Sequence, residues 1–270
     1  MIANTIRTCF PIAAKAVADK AEEINKLNVF PVPDGDTGTN MSLTLASVVK
    51  EVAELPADAN IEAIAAAITH GSLMGARGNS GVITSQILRG VAEGLISASN
   101  PVSTADIAAA LRNAVKVAFQ AVRKPVEGTI LTVLRDISTK ADECAKKKMT
   151  PADALDAIVV EAYQSVARTP DLLPVLKENG VVDSGAFGFA IFVENFVSAA
   201  LGRTSNIEGF SATPALRRKT RSVVSRLRPM TTGRALSSAI ATSSSSRQRR
   251  SSMRRSASSS SPRWAIASFS

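Results

Sequence analysis

Apolar residues recur every three to four positions along most of the first two hundred residues, the period of a helix with one buried face. Ile2, Ile6, Phe10, Ala13, Ala14 and Val17 form one such stripe, ahead of a polar run that ends near Lys26. A second helix reaches Val49 and Val52, with Thr39 or Asn40 as its expected cap. Ala57–Thr69 follows, with Ile61, Ile64, Ala65 and Ile68 on one face. Val82–Ser97, Thr104–Val122, Ile130–Lys147, Ala152–Arg168 and Ala186–Leu201 complete the series, each bounded by Gly, Pro, Ser or Asn. Thr150-Pro151 and Ser103-Thr104-Ala105-Asp106 read as helix starts. Strand-type alternation is nearly absent, and Val29–Val32 is too short to found a sheet. The expected fold is all-α, an antiparallel bundle or barrel of about eight helices with short connections.

Charge divides the chain. Residues 1–209 hold 19 Lys/Arg against 23 Asp/Glu, whereas residues 210–270 hold 13 Lys/Arg and no acid at all. The overall charge of +9 therefore comes from the tail. The first part is long enough for one well-buried domain. The Ser/Arg-rich tail has no sustained apolar periodicity and is expected to be disordered, since it cannot offset its ordering entropy. Cys9 and Cys144 lack metal-type spacing, and reduced thiols are the default for such a pair. Early acidic residues (Asp19, Glu22 and Glu23) argue against a signal peptide, and no apolar run of about 18 residues suggests a membrane span. The expected location is the cytoplasm.

Pro33-Asp34-Gly35-Asp36-Thr37-Gly38-Thr39-Asn40 carries the most chemistry. Side chains at i and i+2 of a helix point apart, so Asp34 and Asp36 converge only on an irregular loop. Converging carboxylates repel, and a hard divalent cation makes the arrangement favourable. Mg²⁺ keeps positions open for water and phosphate oxygens. A plain surface turn explains Asp and Gly equally well at this level. Gly71–Gly81 ends where an apolar helix begins, and a helix N-terminus with free N–H groups favours phosphate. Asn79 and Ser80 add polar side chains there, although the spacing is not that of a P-loop. A close-packing interhelix turn is the alternative.

Lys124–Thr129 opens another helix, with Thr129 either a cap or a ligand contact; Asp183 in Gly180–Gly185 offers the same two readings. Arg77 is free to hold phosphate charge or a surface ion pair. His70, without a Ser or Cys partner set, reads as structural or incidental. Lys146-Lys147-Lys148 reads as a solvated helix end.

Taken together, Asn28–Met41, Leu73–Gly81 (LMGARGNSG), Lys124–Val133 (KPVEGTILTV) and Gly180–Gly185 (GVVDSG) closely resemble the N-terminal domain of the bacterial fatty acid kinase large subunit. That domain is similar to the L subunit of dihydroxyacetone kinase, an all-helical barrel that binds ATP with two Mg²⁺ at its mouth. The resemblance spans about residues 1–205, with the motifs in order. It implies that Asp34 and Asp36 bridge the metals. The dihydroxyacetone kinases carry a third aspartate slightly upstream, where the nearest polar residue here is Asn28. Thr37, Gly38, Thr39 and Asn40 match a phosphate-facing stretch. Gly78, Asn79, Ser80 and Gly81 match the second nucleotide loop, and Gly128, Thr129, Asp183, Ser184 and Gly185 match further contacts.

The activity this resemblance implies is transfer of the γ-phosphoryl of ATP to a fatty acid carboxylate, giving an acyl phosphate. The acid arrives on a DegV-type lipid-binding partner, and the composition here shows no fatty acid pocket. A dihydroxyacetone kinase-type phosphotransferase and a nucleotide-binding module without turnover are the alternatives. A homodimer stays open.

The family's large subunits are about twice this length, and the resemblance stops near residue 205. The 206–270 tail is then expected to be a frameshifted reading of the next domain. Codons compatible with Ser238–Ser246, read from the last base of the Ser238 codon, give Gly-Tyr-Cys-Asn-Glu-Phe, similar to a Gly-Tyr-Cys-Thr-Glu-Phe motif of that domain. Taken at face value, the basic tail would bind nucleic acid or an anionic membrane through counterion release. With only Phe210, Trp264 and Phe269 to stack bases, nucleic acid is not an expected partner. Reading the gene's DNA in all three frames tests the frameshift: family-like sequence beside the tail is expected, and its absence ends the idea.

Overall fold

The computed structural model describes residues 2–203. The expectations for the 206–270 tail, disorder and a shifted frame, lie outside the described residues. Every regular element among those residues is a helix. They are α1 (Ile2–Asp19), α2 (Ala21–Asn25), α3 (Thr37–Ala53), α4 (Ile61–Gly75), α5 (Gly78–Leu95), α6 (Thr104–Ala121), α7 (Ile130–Lys146), α8 (Pro151–Leu172), α9 (Pro174–Asn179) and α10 (Ser184–Ala200). Eight are long, as the periodicity predicts; α2 and α9 are single-turn connectors.

The long helices pack in chain order and close on themselves. α1 packs on α3, α3 on α4, α4 on α5, α5 on α6, α6 on α7, α7 on α8, α8 on α10, and α10 back on α1. The interior is filled by Ile24, Met41, Leu45, Ile64, Ile87, Leu134 and Ile137, all fully buried. In an up-and-down ring the direction alternates, so α3, α5, α7 and α10 all start at one mouth, and α1, α4, α6 and α8 start at the other. That parity decides where the chemistry sits.

Local signals account for several boundaries. Ser103 and Asp106 form a reciprocal capping box at α6, and Thr150 caps α8 with Pro151 as its first residue. Lys146, Lys147 and Lys148 form an exposed helix end. His70 meets Glu51 at 3.2 Å on the surface.

Other boundaries differ from expectation. α4 starts at Ile61, capped by Asn60, and runs on through Gly75, so most of the first half of the Gly71–Gly81 stretch is helix. α5 starts at Gly78 and α10 at Ser184, ahead of the apolar residues that mark them in the sequence. The first turn of α5 is Gly-Asn-Ser-Gly and α10 opens on Ser-Gly, residues that hide the period but suit a helix start. α3 begins at Thr37 rather than after a Thr39 or Asn40 cap. Its outer cap comes from α2: Asn25 Oδ1 accepts from the N–H groups of Gly38 at 2.7 Å and Thr39 at 3.2 Å.

An apolar cavity of about 280 Å³ lies toward the mouth where α1, α6 and α8 begin and α5 and α10 end, lined by Ile6, Phe10, Leu95, Ile107, Leu155 and Phe196 among others. Such a space arises from how far apart the helices stand, which composition does not report. No helix among the described residues is long and apolar enough to cross a membrane.

A methyl at Gly38 would stand 2.3 Å from the Ala21 carbonyl oxygen, a backbone atom that cannot swing aside. Gly38→Ala is expected to cost about 1–3 kcal/mol by overpacking α2 against α3, read as a lower urea midpoint with an unchanged slope.

Candidate functional site

A cleft of about 420 Å³ opens at the mouth where α3, α5, α7 and α10 begin. Four sequence-distant segments line it. The acidic loop supplies Asn28, Asp34, Asp36 and Thr37; the start of α5 supplies Gly78, Asn79 and Ser80; the α6–α7 junction supplies Thr129; and the start of α10 supplies Asp183, Ser184 and Gly185. Gly38, Thr39, Asn40, Gly81 and Gly128 do not line it.

Asp34 is exposed and Asp36 half-buried on the loop that leads into α3. Asn28, buried beneath them, donates from Nδ2 to Asp34 Oδ1 at 2.7 Å. Asp36 is the N-cap residue of α3, yet its side chain makes no cap hydrogen bond, which leaves the carboxylate for the cleft. Its Oδ2 lies 4.0 Å from where a side chain on Gly78 would start, so the acidic loop abuts the start of α5. Gly78 has φ +56, and a Cβ there would meet Asn40 Nδ2 at 2.4 Å. Only glycine takes both the left-handed backbone and that approach.

The residues that do not line the cleft hold it from behind. Asn40 is buried against Gly78, Gly81 packs on Thr44 of α3, and the Gly128 N–H donates to Thr132 Oγ1 at 2.9 Å. Arg77 turns away from the cleft and donates to the carbonyls of Met74 and Ala76 at the end of α4, neither a phosphate contact nor a surface ion pair. Thr129 occupies the N-cap position of α7 without capping it; its hydroxyl donates to the Val126 carbonyl.

Asp183 caps α7 instead. Its Oδ2 accepts from the Ala186 N–H at 2.8 Å, as the N-cap of α10, and from the Ile130 N–H at 3.1 Å, at the first residue of α7. Its own N–H donates to Thr169 Oγ1 on α8 at 3.1 Å. The next residue, Ser184, donates from Oγ to Thr37 Oγ1 at 3.1 Å, which ties α10 to α3. One buried carboxylate thus joins two of the helix starts around the cleft, and its neighbour reaches a third. Burial pushes the Asp183 carboxyl up to about 6, against the two N–H groups that favour its ionised form.

Of the four mouth helices, α3 is served by Asn25, and α7 and α10 by Asp183. α5 is the exception: Arg77, at its N-cap position, makes no side-chain cap bond. The first turn of a helix has no carbonyl one turn back, so the N–H groups of Asn79 and Ser80 open toward the cleft without one.

Among the described residues no group of three or more His, Cys, Asp or Glu gathers as a metal cage. The donor set is two carboxylates one residue apart on an open cleft wall, which suits Mg²⁺ held by one or two carboxylates plus ligand phosphates.

Sequence reasoning left Asn25, Arg123 and Lys124 out of the site. Asn25 sits inside an ordinary polar run and carried no signal. Arg123 and Lys124 line the cleft; a basic pair between a helix end and a Gly turn was the available clue.

A closed helical ring with an acidic loop and four helix starts at one mouth defines a class of helical barrel. The chain belongs to the DAK2 domain family, whose pattern matches residues 31–198. It is 47% identical to protein YloV of Bacillus subtilis (strain 168) over 191 residues, 71% of this chain and 34% of that protein. It is 44% identical to an uncharacterized protein of Mycoplasma pneumoniae, covering 69% of this chain and 34% of that one. The match therefore spans about a third of the length of these relatives. The fold is also that of part of the dihydroxyacetone kinase of C. freundii, solved with AMP-PNP and Mg²⁺: TM-score 0.54 and 18% identity, over 72% of this chain and 33% of that one.

The raised carboxyl of Asp183 makes stability depend on pH in a definite sense. A folded value above the ordinary 3.8 favours the protonated folded state. That contribution is full below about pH 4 and is lost as pH rises through about 6. Asn accepts the same N–H groups without a charge to bury. Asp183→Asn is therefore expected to unfold at higher urea than the parent at pH 8, by up to about 3 kcal/mol, and to lose the decline between pH 4 and 6.

Proposed function

We propose that residues 1–205 form an ATP- and Mg²⁺-dependent phosphotransferase domain. Its acceptor is a fatty acid carboxylate presented by a DegV-type lipid-binding partner, and its product an acyl phosphate. The observation that carries this reading is one cleft holding Asp34, Asp36 and the uncapped start of α5 side by side. Asp34 and Asp36 would hold Mg²⁺, with Asn28 hydrogen-bonded behind Asp34. A metal held there would supply positive charge against the phosphates of a nucleotide.

The chain's own residues do the rest by positioning. Asn79 and Ser80 offer backbone N–H groups and polar side chains to the phosphates. Thr37 and Ser184, linked through their hydroxyls, hold the opposite helix starts in place. Phosphoryl transfer of this kind needs no covalent protein intermediate. The apolar cavity lies toward the other end of the barrel, which supports an acceptor delivered to the cleft from outside rather than stored beside it.

Titration of the full chain with Mg·ATP is expected to show binding that falls at least about tenfold in the Asp34→Ala, Asp36→Ala double variant. Unchanged binding in that variant would remove the assignment. Acyl phosphate is expected when a DegV-type protein loaded with fatty acid is added, and no turnover with free dihydroxyacetone. Phosphorylation of dihydroxyacetone would move the protein to that class, and binding without either turnover would make it a nucleotide-binding module.

A further inference from the structure

The segment between α6 and α7 runs along the cleft: Ala121, Val122, Arg123, Lys124 and Val126 all line it. Among the described residues, Arg123 and Lys124 are the only cations that line it. Against them the lining carries three carboxylates, Asp34, Asp36 and Asp183.

Neither cation has work to do inside the fold. Both are exposed, and neither makes an ion pair or hydrogen bond with the described residues. The nearest acid along the chain, Glu127, is already taken. It receives two bonds from Arg135, at 2.5 and 2.7 Å, and one from Thr132 at 2.8 Å. Lys124 therefore stands three residues from a carboxylate that α7 has claimed. The segment follows the C-terminus of α6, where cations suit the helix dipole, but neither side chain donates to an α6 carbonyl. Pro125, with its fixed φ, and Val122 and Val126, facing the same cleft, restrict how far the pair can swing.

We propose that Arg123 and Lys124 form an anion subsite that binds the polyphosphate of a nucleoside triphosphate. The inference rests on the nucleotide reading above and adds to it a second wall. The start of α5 meets phosphate with backbone N–H groups, and the α6–α7 segment meets it with full charges. A triphosphate is a polyanion placed beside three carboxylates, and two side-chain cations on the same cleft offset part of that negative charge. Arginine suits a pair of phosphate oxygens, and lysine a single one.

The test uses the full chain and Mg·ATP by titration calorimetry, at low and at high salt. Arg123→Ala with Lys124→Ala is expected to weaken ATP at least about tenfold and to flatten the salt dependence, while the thermal unfolding temperature stays put. The swap Arg123→Lys with Lys124→Arg, which keeps both charges but exchanges their donor geometry, is expected to retain clearly more affinity than the double alanine variant. Parent-like ATP affinity in the double alanine variant overturns the subsite, and so does a swap that weakens binding as much as the alanines do. A parent that binds no ATP at all removes the nucleotide reading itself, which separates the two failures.

Discussion

Closure of eight antiparallel helices into a ring is the constraint from which the rest follows. Once α10 packs back on α1, direction alternates around the barrel, and every second N-terminus must meet at the same mouth. Those termini carry unpaired N–H groups and the positive ends of helix dipoles. A buried mouth of this kind has to satisfy them. The structure does so unequally, with Asn25 at α3 and Asp183 at α7 and α10, and leaves the start of α5 to the cleft. The uneven capping, more than the number of helices, is what makes one point of the rim able to receive an anion.

Asp183 shows how the same residue answers to packing and to function. A carboxylate at 5% exposure is costly unless it is well bonded, and this one has two backbone donors and no cation in contact. An amide would cap as well at lower cost. The side chain joins the starts of α7 and α10, the backbone N–H reaches Thr169 of α8, and burial pushes the carboxyl up to about 6. Sites where a local choice sits badly with stability are where function is expected to be found.

The cleft also explains why the acidic loop is irregular. Asp36 starts α3 without capping it, because Asn25 has already taken the N–H groups its side chain would meet. Gly38 makes room for that arrangement by letting α2 lie against α3. Gly78 lets α5 begin beside Asp36. The carboxylates are thereby free of the helix they introduce, and the cations on the far wall are free of any acid.

What the chain determined alone was the fold class and which four segments meet at one cleft. Apolar spacing marked all eight long helices, and capping chemistry placed the starts of α6 and α8, because both depend on residues within one or two turns. Motif order singled out four segments that share the cleft. The first turn of α5, Gly-Asn-Ser-Gly, and the opening Ser-Gly of α10 escaped, since neither carries an apolar residue. Tertiary structure alone decided which donors cap which helix: Asn25 reaches across to α3, and Asp183 reaches back 53 residues to Ile130. It alone turned Gly38, Thr39 and Asn40 behind the cleft and brought Arg123 and Lys124 into it. Such contacts depend on how the ring closes, a long-range packing outcome that no local pattern of side chains encodes.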